Sequence, residues 1–244
     1  MLWGKKKSSA KPLTGYSLIG VDLHSHLLPG IDDGAQDMDD TVDLLTGLKE
    51  LGYRKVITTP HNQADFFENP KDKILAKLNE VRNHIARIGL DIEIEAASEY
   101  YLDYKFRDRI KNKDLLTFGD NYVLFELSPT LKPMNFETLI FEMQMAGYRP
   151  VLAHPERYGY FYGKGQYEEL TDKGVMLQVN ISSLSPFVAN PVRKAAETII
   201  KDELVTFAGS DTHSIQNLHI LKNQLSNPTL INLVNSGRLF NHTL

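Results

Sequence analysis

The 244-residue chain contains no cysteine. That excludes disulfides, thiolate zinc sites, iron–sulfur clusters and any cysteine nucleophile. A metal site in such a chain has only imidazole and carboxylate to draw on, so the eight histidines are the residues to place. Excess positive charge is also missing. The balance is 27 Lys+Arg against 31 Asp+Glu, a formal net charge of −4, which is not the footprint of a nucleic-acid binder. No window approaches the roughly 20 apolar residues of a membrane span. The basic patch Lys5–Lys7 is not followed by the roughly 7–15-residue apolar segment of a secretory signal. Residues 1–17 are therefore expected to form a flexible basic tail, and the cytoplasm is the expected compartment. Neither GxGxxG nor GxxxxGK[ST] follows any strand, which weakens a nucleotide-binding reading.

What is present is an alternation of short apolar strands with helical stretches. Strands are predicted over Leu18–Leu23, Lys55–Thr59, Ile92–Ser98, Tyr122–Leu127, Pro150–Ala153, Val175–Asn180 and Val205–Gly209, each rich in Val, Ile, Leu or aromatics. Helical periodicity covers Asp39–Leu51, stopping at Gly52, and a longer stretch opened by Asn69-Pro70 and ending near Gly89. Two more helices run over Phe136–Ala146 and Pro191–Lys201. Strand–helix alternation implies parallel strands with crossover helices. No linker or repeat divides the chain, so residues 18–244 are expected to form one α/β domain. Seven strands in this length suggest a barrel or barrel-like closed sheet.

The polar residues sort onto that frame in a regular way. The first predicted strand ends in Asp22-Leu23-His24-Ser25-His26, and residues i and i+2 of a strand project to the same side. The second ends in Thr59-Pro60-His61, the third in Ser98-Glu99 and the fourth in Phe125-Glu126. The fifth ends in His154-Pro155-Glu156-Arg157 and the seventh in Ser210-Asp211-Thr212-His213. Six of the seven thus carry His, Asp or Glu at the C-terminal edge, the face where barrel enzymes place their active sites. A carboxylate ending a buried strand, as Glu126 does, is costly unless paired or bound to metal. Imidazole plus carboxylate without sulfur suits Mn²⁺, Fe or Zn²⁺. Ions about 3.5–4 Å apart can clamp both oxygens of a phosphoryl displacement, and a bound water can be acidified towards about 7 to serve as hydroxide. Arg157, three residues beyond His154, has the planar fork that suits a phosphate.

His24-Ser25-His26, followed by Leu27-Leu28-Pro29-Gly30-Ile31-Asp32-Asp33-Gly34, resembles the opening motif of the PHP (polymerase and histidinol phosphatase) superfamily. More narrowly, it resembles the manganese-dependent protein-tyrosine phosphatases of bacterial capsule and exopolysaccharide operons. Thr59-Pro60-His61, Phe125-Glu126, His154-Pro155-Glu156-Arg157 and Ser210-Asp211-Thr212-His213 follow in the expected order, so the motifs span residues 22–213. The resemblance implies a distorted (β/α)₇ barrel with three divalent ions at the C-terminal strand ends. It assigns His24, His26, Glu99 and Asp211 to one ion. Glu99, Glu126 and His154 go to a second, with Glu99 bridging, and Asp33, His61 and His213 to the third. The choice of Asp33 over its neighbour Asp32 comes from the family pattern, because spacing alone does not separate them. Arg157 takes the substrate phosphate. Relatives often carry a second phosphate-binding Arg about five residues after the last motif His. Leu218 stands there in this chain, and His219 or Lys222 is the candidate replacement.

The expected activity is hydrolysis of phosphotyrosine on a protein by metal-bound hydroxide. The substrate implied by the resemblance is the tail of a membrane-associated tyrosine autokinase. Two rivals stand beside it. One is a PHP phosphatase for a small molecule such as histidinol phosphate or a nucleotide. The other is a metal-stabilised binding module without turnover. The Ser128–Asn135 loop and the aromatic run Tyr158–Tyr162 are candidates for the rim of the site.

Overall fold

The computed structural model describes residues 11–244. Its nine short strands all pair in parallel, in two sheets. The first sheet holds β1 (Val21–Asp22), β2 (Lys55–Thr58) and β4 (Glu93–Ala96), in that order. The second runs β3 (His61–Asn62), β5 (Glu99–Tyr101), β6 (Tyr122–Glu126), β7 (Arg149–Ala153), β8 (Met176–Asn180) and β9 (Val205–Gly209). Nine replace the seven predicted because two predicted strands, Lys55–Thr59 and Ile92–Ser98, are each followed after a short break by a further strand. Pro60, which has no N–H to give the ladder, separates β2 from β3. Ala97-Ser98 separates β4 from β5.

Backbone bonds stitch these breaks. Thr59 N donates to Ser25 O at 2.7 Å, Ala97 N to Thr58 O at 2.9 Å and Glu99 N to Pro60 O at 3.1 Å. Beyond β9 the chain pairs again with the continuation of β1. Asp211 N donates to His24 O at 2.7 Å and His26 N to Thr212 O at 2.9 Å.

The helices are α1 (Met38–Glu50), α2 (Lys71–Ile88), α3 (Phe106–Lys111), α4 (Phe136–Met145), α5 (Gln166–Asp172), α6 (Asn190–Lys201), α7 (Ile215–Gln224) and α8 (Pro228–Asn235). Helix α1 starts at Asp37, whose side chain accepts from Asp40 N, and α2 ends at Gly89 in the left-handed conformation. Among the described residues no helix is long and apolar enough to cross a membrane.

Both faces of the strands are apolar. On β6, Val123 and Phe125 join the large core under the helices, while Tyr122 and Leu124 join a second cluster with Val21, Leu23, Val151 and Phe207. Parallel strands covered on both sides read as near-continuous apolar runs, which is why the sequence located them well.

Part of the segment expected as a tail, residues 11–17, is tied to the domain. Residues 1–10, including Lys5–Lys7, lie outside the described residues. Leu13 N donates to Leu225 O at 2.9 Å, and Tyr16 is fully buried, stacked on Tyr53 with its hydroxyl donating to Leu221 O at 2.7 Å. An amphipathic Tyr with a partner for its hydroxyl is a core residue, and a single aromatic in a polar stretch gives no periodicity to announce it.

Candidate metal centre

Each strand end delivers its polar residue to one place. His24 and His26 extend β1 and their Nε2 atoms stand 3.4 Å apart. Glu99, the first residue of β5, lies between the rings. Its Oε2 is 3.3 Å from His24 Nε2, 3.5 Å from His26 Nε2 and 3.0 Å from His61 Nδ1, and its Oε1 is 2.9 Å from His154 Nε2. His61 Nδ1 also lies 3.2 Å from Glu126 Oε1 at the end of β6. Asp211, just past β9, puts Oδ1 3.3 Å from His24 Nε2 and 3.5 Å from His213 Nδ1. Asp33 Oδ1 faces His61 Nε2 at 3.5 Å and His213 Nε2 at 3.4 Å. All nine residues expected as ligands fall into four overlapping groups of three or four, the donor atoms of each group lying within 4.8 Å of one another. Glu126 groups with His61 and Glu99, whereas His154 groups with His24 and Asp211.

Two of these side chains are aimed by unusual backbone. His154 and Asp211 adopt positive φ, 36° and 52°, right after β7 and β9. A non-glycine residue there costs of order 1–3 kcal/mol and persists where its surroundings dictate it. The Asp32-Asp33-Gly34 turn approaches His26 closely. A Cβ on Gly34 would sit 2.1 Å from His26 O, so only glycine fits.

The structure separates the two adjacent aspartates. Asp33 points at two rings of the cluster. Asp32 sits behind it, its Oδ2 2.8 Å from His26 Nδ1, accepting also from Gly34 N and His61 N. The outer nitrogens of the other rings are likewise occupied. His24 Nδ1 meets Gln178 Oε1 at 2.7 Å, and His213 Nδ1 meets the carbonyl of Asp211 at 3.1 Å. Those acceptors take an Nδ1–H and leave each Nε2 lone pair facing inward, the tautomer a metal ligand needs. Asp22 holds the strand ends together from below, accepting from Ser210 N and Ser210 Oγ, and burial pushes its carboxyl up to about 6.

The electrostatics follow from burial and pairing. Burial opposes a charge on His26, but Asp32 outweighs it and holds the ring's pKa up at about 10. His61 is likewise opposed by burial and held up at about 11 by Glu126 and Glu99. Burial would raise Glu99, yet the surrounding imidazoles keep it well below the usual carboxylate range. Asp211 behaves the same way beside His24 and Arg157. His213 is pushed down, by burial first and then by the charge of His26. The buried carboxylates thus demand positive charge. Glu99 Oε2, fully buried, has no hydrogen-bond partner and is ringed by imidazole nitrogens, an environment that fits a divalent cation.

Arg157 stands at the rim, 44% exposed, with Nη2 2.8 Å from Asp211 Oδ2. His219 is not brought to this cluster. It is exposed on α7 and lines a cleft of about 330 Å³ with Lys222 and with Asp43, Thr46, Gly47 and Glu50 of α1. Its neighbour Leu218 is buried, packed over the open face of Gly47. His219 thus lies on a cleft between α7 and α1 and in none of the groups of candidate metal donors. The aromatic run is also largely internal. Tyr158 and Phe161 are buried, and Tyr158 Oη lies 3.3 Å from His154 Nδ1, while Tyr162 is exposed. Of the Ser128–Asn135 loop, Leu131 and Met134 are exposed.

The comparisons with known proteins point the same way as the cluster. Residues 20–220 match the family model for capsular polysaccharide synthesis, CpsB/CapC. The chain belongs to the CpsB/CapC family. CapC of Staphylococcus aureus is 31% identical over 211 residues, spanning 85% of this chain and 82% of that protein. The tyrosine-protein phosphatase YwqE of Bacillus subtilis is 25% identical over 80% of this chain and 78% of its own length. The tyrosine-protein phosphatase CpsB of Streptococcus pneumoniae is 28% identical over 80% of this chain and 83% of its own length. Among solved structures, one from the work on YwqE and CpsB, described as metal-dependent tyrosine phosphatases, superposes with a TM-score of 0.77 at 23% identity, covering 91% of this chain and 94% of that one. A histidinol phosphate phosphatase from Lactococcus lactis shares the fold more distantly, with a TM-score of 0.53 at 12% identity, covering 90% of this chain and 95% of that one.

Proposed function

We propose that this CpsB/CapC-family protein is a metal-dependent protein-tyrosine phosphatase. The observation that carries the reading is the gathering of nine imidazole and carboxylate side chains, four of the imidazoles around Glu99, with Arg157 paired to Asp211 beside them. On this reading His24, His26, Glu99 and Asp211 hold one ion, Glu99, Glu126 and His154 a second, and Asp33, His61 and His213 a third. Manganese is the expected metal, with iron or zinc compatible with the same donors. Bound divalent ions would supply Lewis acidity and an activated water near neutral pH.

The chain's own residues do the rest. Arg157 offers a planar set of donors to the phosphate oxygens, and its half-exposed position leaves those donors open to a phosphate arriving from solvent. Asp32 and Gln178 fix the rings of His26 and His24 so that no reorientation is needed when substrate arrives. The two sheets are taken as arcs of one distorted (β/α)₇ barrel, supported by the backbone bonds between the extensions of β1 and β9. The substrate is assigned as phosphotyrosine on a protein, with the tail of a membrane-associated tyrosine autokinase as the partner. The cytoplasm is the compartment.

The test is hydrolysis of p-nitrophenyl phosphate and a phosphotyrosine peptide with Mn²⁺, before and after stripping with EDTA. Turnover of both that disappears on chelation is expected. Full activity after chelation, or a higher kcat/KM on histidinol phosphate than on the peptide, overturns the reading.

A further inference from the structure

Strand β8 is the one strand of the predicted seven whose end carries no ligand, and it nevertheless reaches the centre. Gln178 and Asn180, two residues apart on β8, are fully buried, as are His24 and Glu99. Gln178 Oε1 meets His24 Nδ1 at 2.7 Å. Gln178 Nε2 donates to Asn180 Oδ1 at 2.8 Å, and Asn180 Nδ2 donates to Asp211 Oδ2 at 2.8 Å. Asp211 Oδ1 in turn faces His24 Nε2 at 3.3 Å. The circuit is closed, and its polarity is fixed. Each amide has one oxygen and one nitrogen, so Asn180 must give its nitrogen to the carboxylate, and Gln178 must give its nitrogen to Asn180. That leaves the Gln178 oxygen for His24, which must answer with Nδ1–H.

The packing singles out the same spot. A Cβ on Gly209 of β9 would lie 2.6 Å from Gln178 Nε2 and 2.8 Å from His24 Cβ. Glycine at that point of β9 is what lets the amide and the histidine pass so close.

We propose that Gln178 and Asn180 are positioning residues that set the tautomer of His24 and hold Asp211 so that one oxygen faces the cations and the other faces Arg157. The inference rests on the phosphatase reading above for its catalytic consequence. Its consequence for cation binding is measurable without turnover. Outer partners of ligating histidines are worth about 10–100-fold in metal affinity. Gln178→Ala leaves His24 Nδ1 without its acceptor, and Asn180→Ala leaves Asp211 Oδ2 with Arg157 alone. Gln178→Glu keeps an acceptor for His24 and gives up only the donor to Asn180.

The experiment is Mn²⁺ binding to the full-length protein, titrated against a chelating indicator dye. Circular dichroism and thermal unfolding are run on every variant, and kcat and KM are taken on p-nitrophenyl phosphate. Gln178→Ala is expected to bind Mn²⁺ 10- to 100-fold more weakly while remaining folded, with Gln178→Glu closer to wild type than to Gln178→Ala. Gly209→Ala, which changes no polar group, is expected to weaken binding in the same direction by pushing Gln178 and His24 away from β9. Folded Gln178→Ala with wild-type affinity overturns the proposal. So does a set of variants that lose thermal stability while Mn²⁺ affinity is unchanged. A wild-type protein that binds Mn²⁺ yet hydrolyses no phosphomonoester would instead overturn the phosphatase reading and leave the positioning role intact.

Discussion

Arg157 Nη2 lies 2.8 Å from Asp211 Oδ2, so this half-exposed cation is tied to a carboxylate that also faces the histidine cluster. Nearly half of the Arg157 side chain remains in solvent. Arg157→Ala is expected to lower kcat/KM on a phosphotyrosine peptide by about 10²–10³-fold, the loss typical of one preorganised charge-stabilising donor. Metal content should stay at the wild-type value. Arg157→Lys keeps the charge but not the fork and should recover only part of the rate. Steady-state kinetics paired with elemental analysis reads both quantities.

Glu99 touches more of the cluster than any other carboxylate, meeting His24, His26, His61 and His154. Glu99→Gln retains the shape and removes the charge. Metal stoichiometry should fall in elemental analysis, and activity should drop to background. A variant that retains full metal content and rate would show that Glu99 is only a counter-ion for the imidazoles.

Asp32 and Asp33 are neighbours with different duties, and substitution should tell them apart. Asp32→Ala removes the acceptor on His26 Nδ1 and should weaken metal binding by about 10–100-fold. Asp33→Ala should instead remove a ligand and lower the number of ions bound. Asp32 also has a pH signature. Burial opposes its charge, but His26 outweighs burial and holds its carboxyl down at about 2. A carboxyl lower in the folded than in the unfolded state contributes stability that is complete above the unfolded value and lost as pH falls. The metal-free protein should therefore lose stability between pH of about 4 and about 2. In thermal unfolding, Asp32→Asn should show a flatter acid limb than wild type.

Chelation should cost stability as well as rate. A cation that binds only the folded state adds about 2.7 kcal/mol at a hundredfold excess over its Kd. EDTA-treated protein is expected to melt several degrees lower, and added Mn²⁺ should restore the midpoint. A midpoint indifferent to EDTA would contradict tight binding at this cluster.

His219 supplies a negative control. It faces α1 across a cleft and not the cluster, so His219→Ala should leave kcat/KM within about twofold of wild type, as surface changes outside a site usually do. His213→Ala, in contrast, should abolish activity. Leu218→Arg should lower the melting temperature without raising the rate, because the side chain would have to enter the contact with Gly47.

The strand ends were legible in the sequence because parallel strands covered on both faces are short apolar runs, and a polar residue ending such a run stands out. That rule singled out His24, His26, His61, Glu99, Glu126, His154, Asp211 and His213. It overlooked Gln178 and Asn180 because an amide is neither imidazole nor carboxylate, although they alternate through β8 as His24 and His26 do beyond β1. Spacing could not choose between Asp32 and Asp33, since adjacent residues in a turn differ only by where the backbone sends them. The splitting of two strands was hidden too. Pro60 was visible in the sequence, but the paired resumption at His61 depends on β5 lying beside it. The helices α3, α5, α7 and α8 are mostly short and take their support from packing, so periodicity gave them little signal.

The breaks at Pro60 and Ala97-Ser98 divide the clustered imidazoles and carboxylates as well as the strands. His24 and His26 extend from the first sheet, whereas His61, Glu99, Glu126, His154 and Asp211 belong to the second or its extensions. Any cation held jointly by His24 and Glu99 would span that seam, joining segments 75 positions apart in a chain that has no cysteine to form a covalent link. Metal loading would then act as a reversible staple, and protease should find its first cuts near residues 59–61 and 97–98 once the ions are gone.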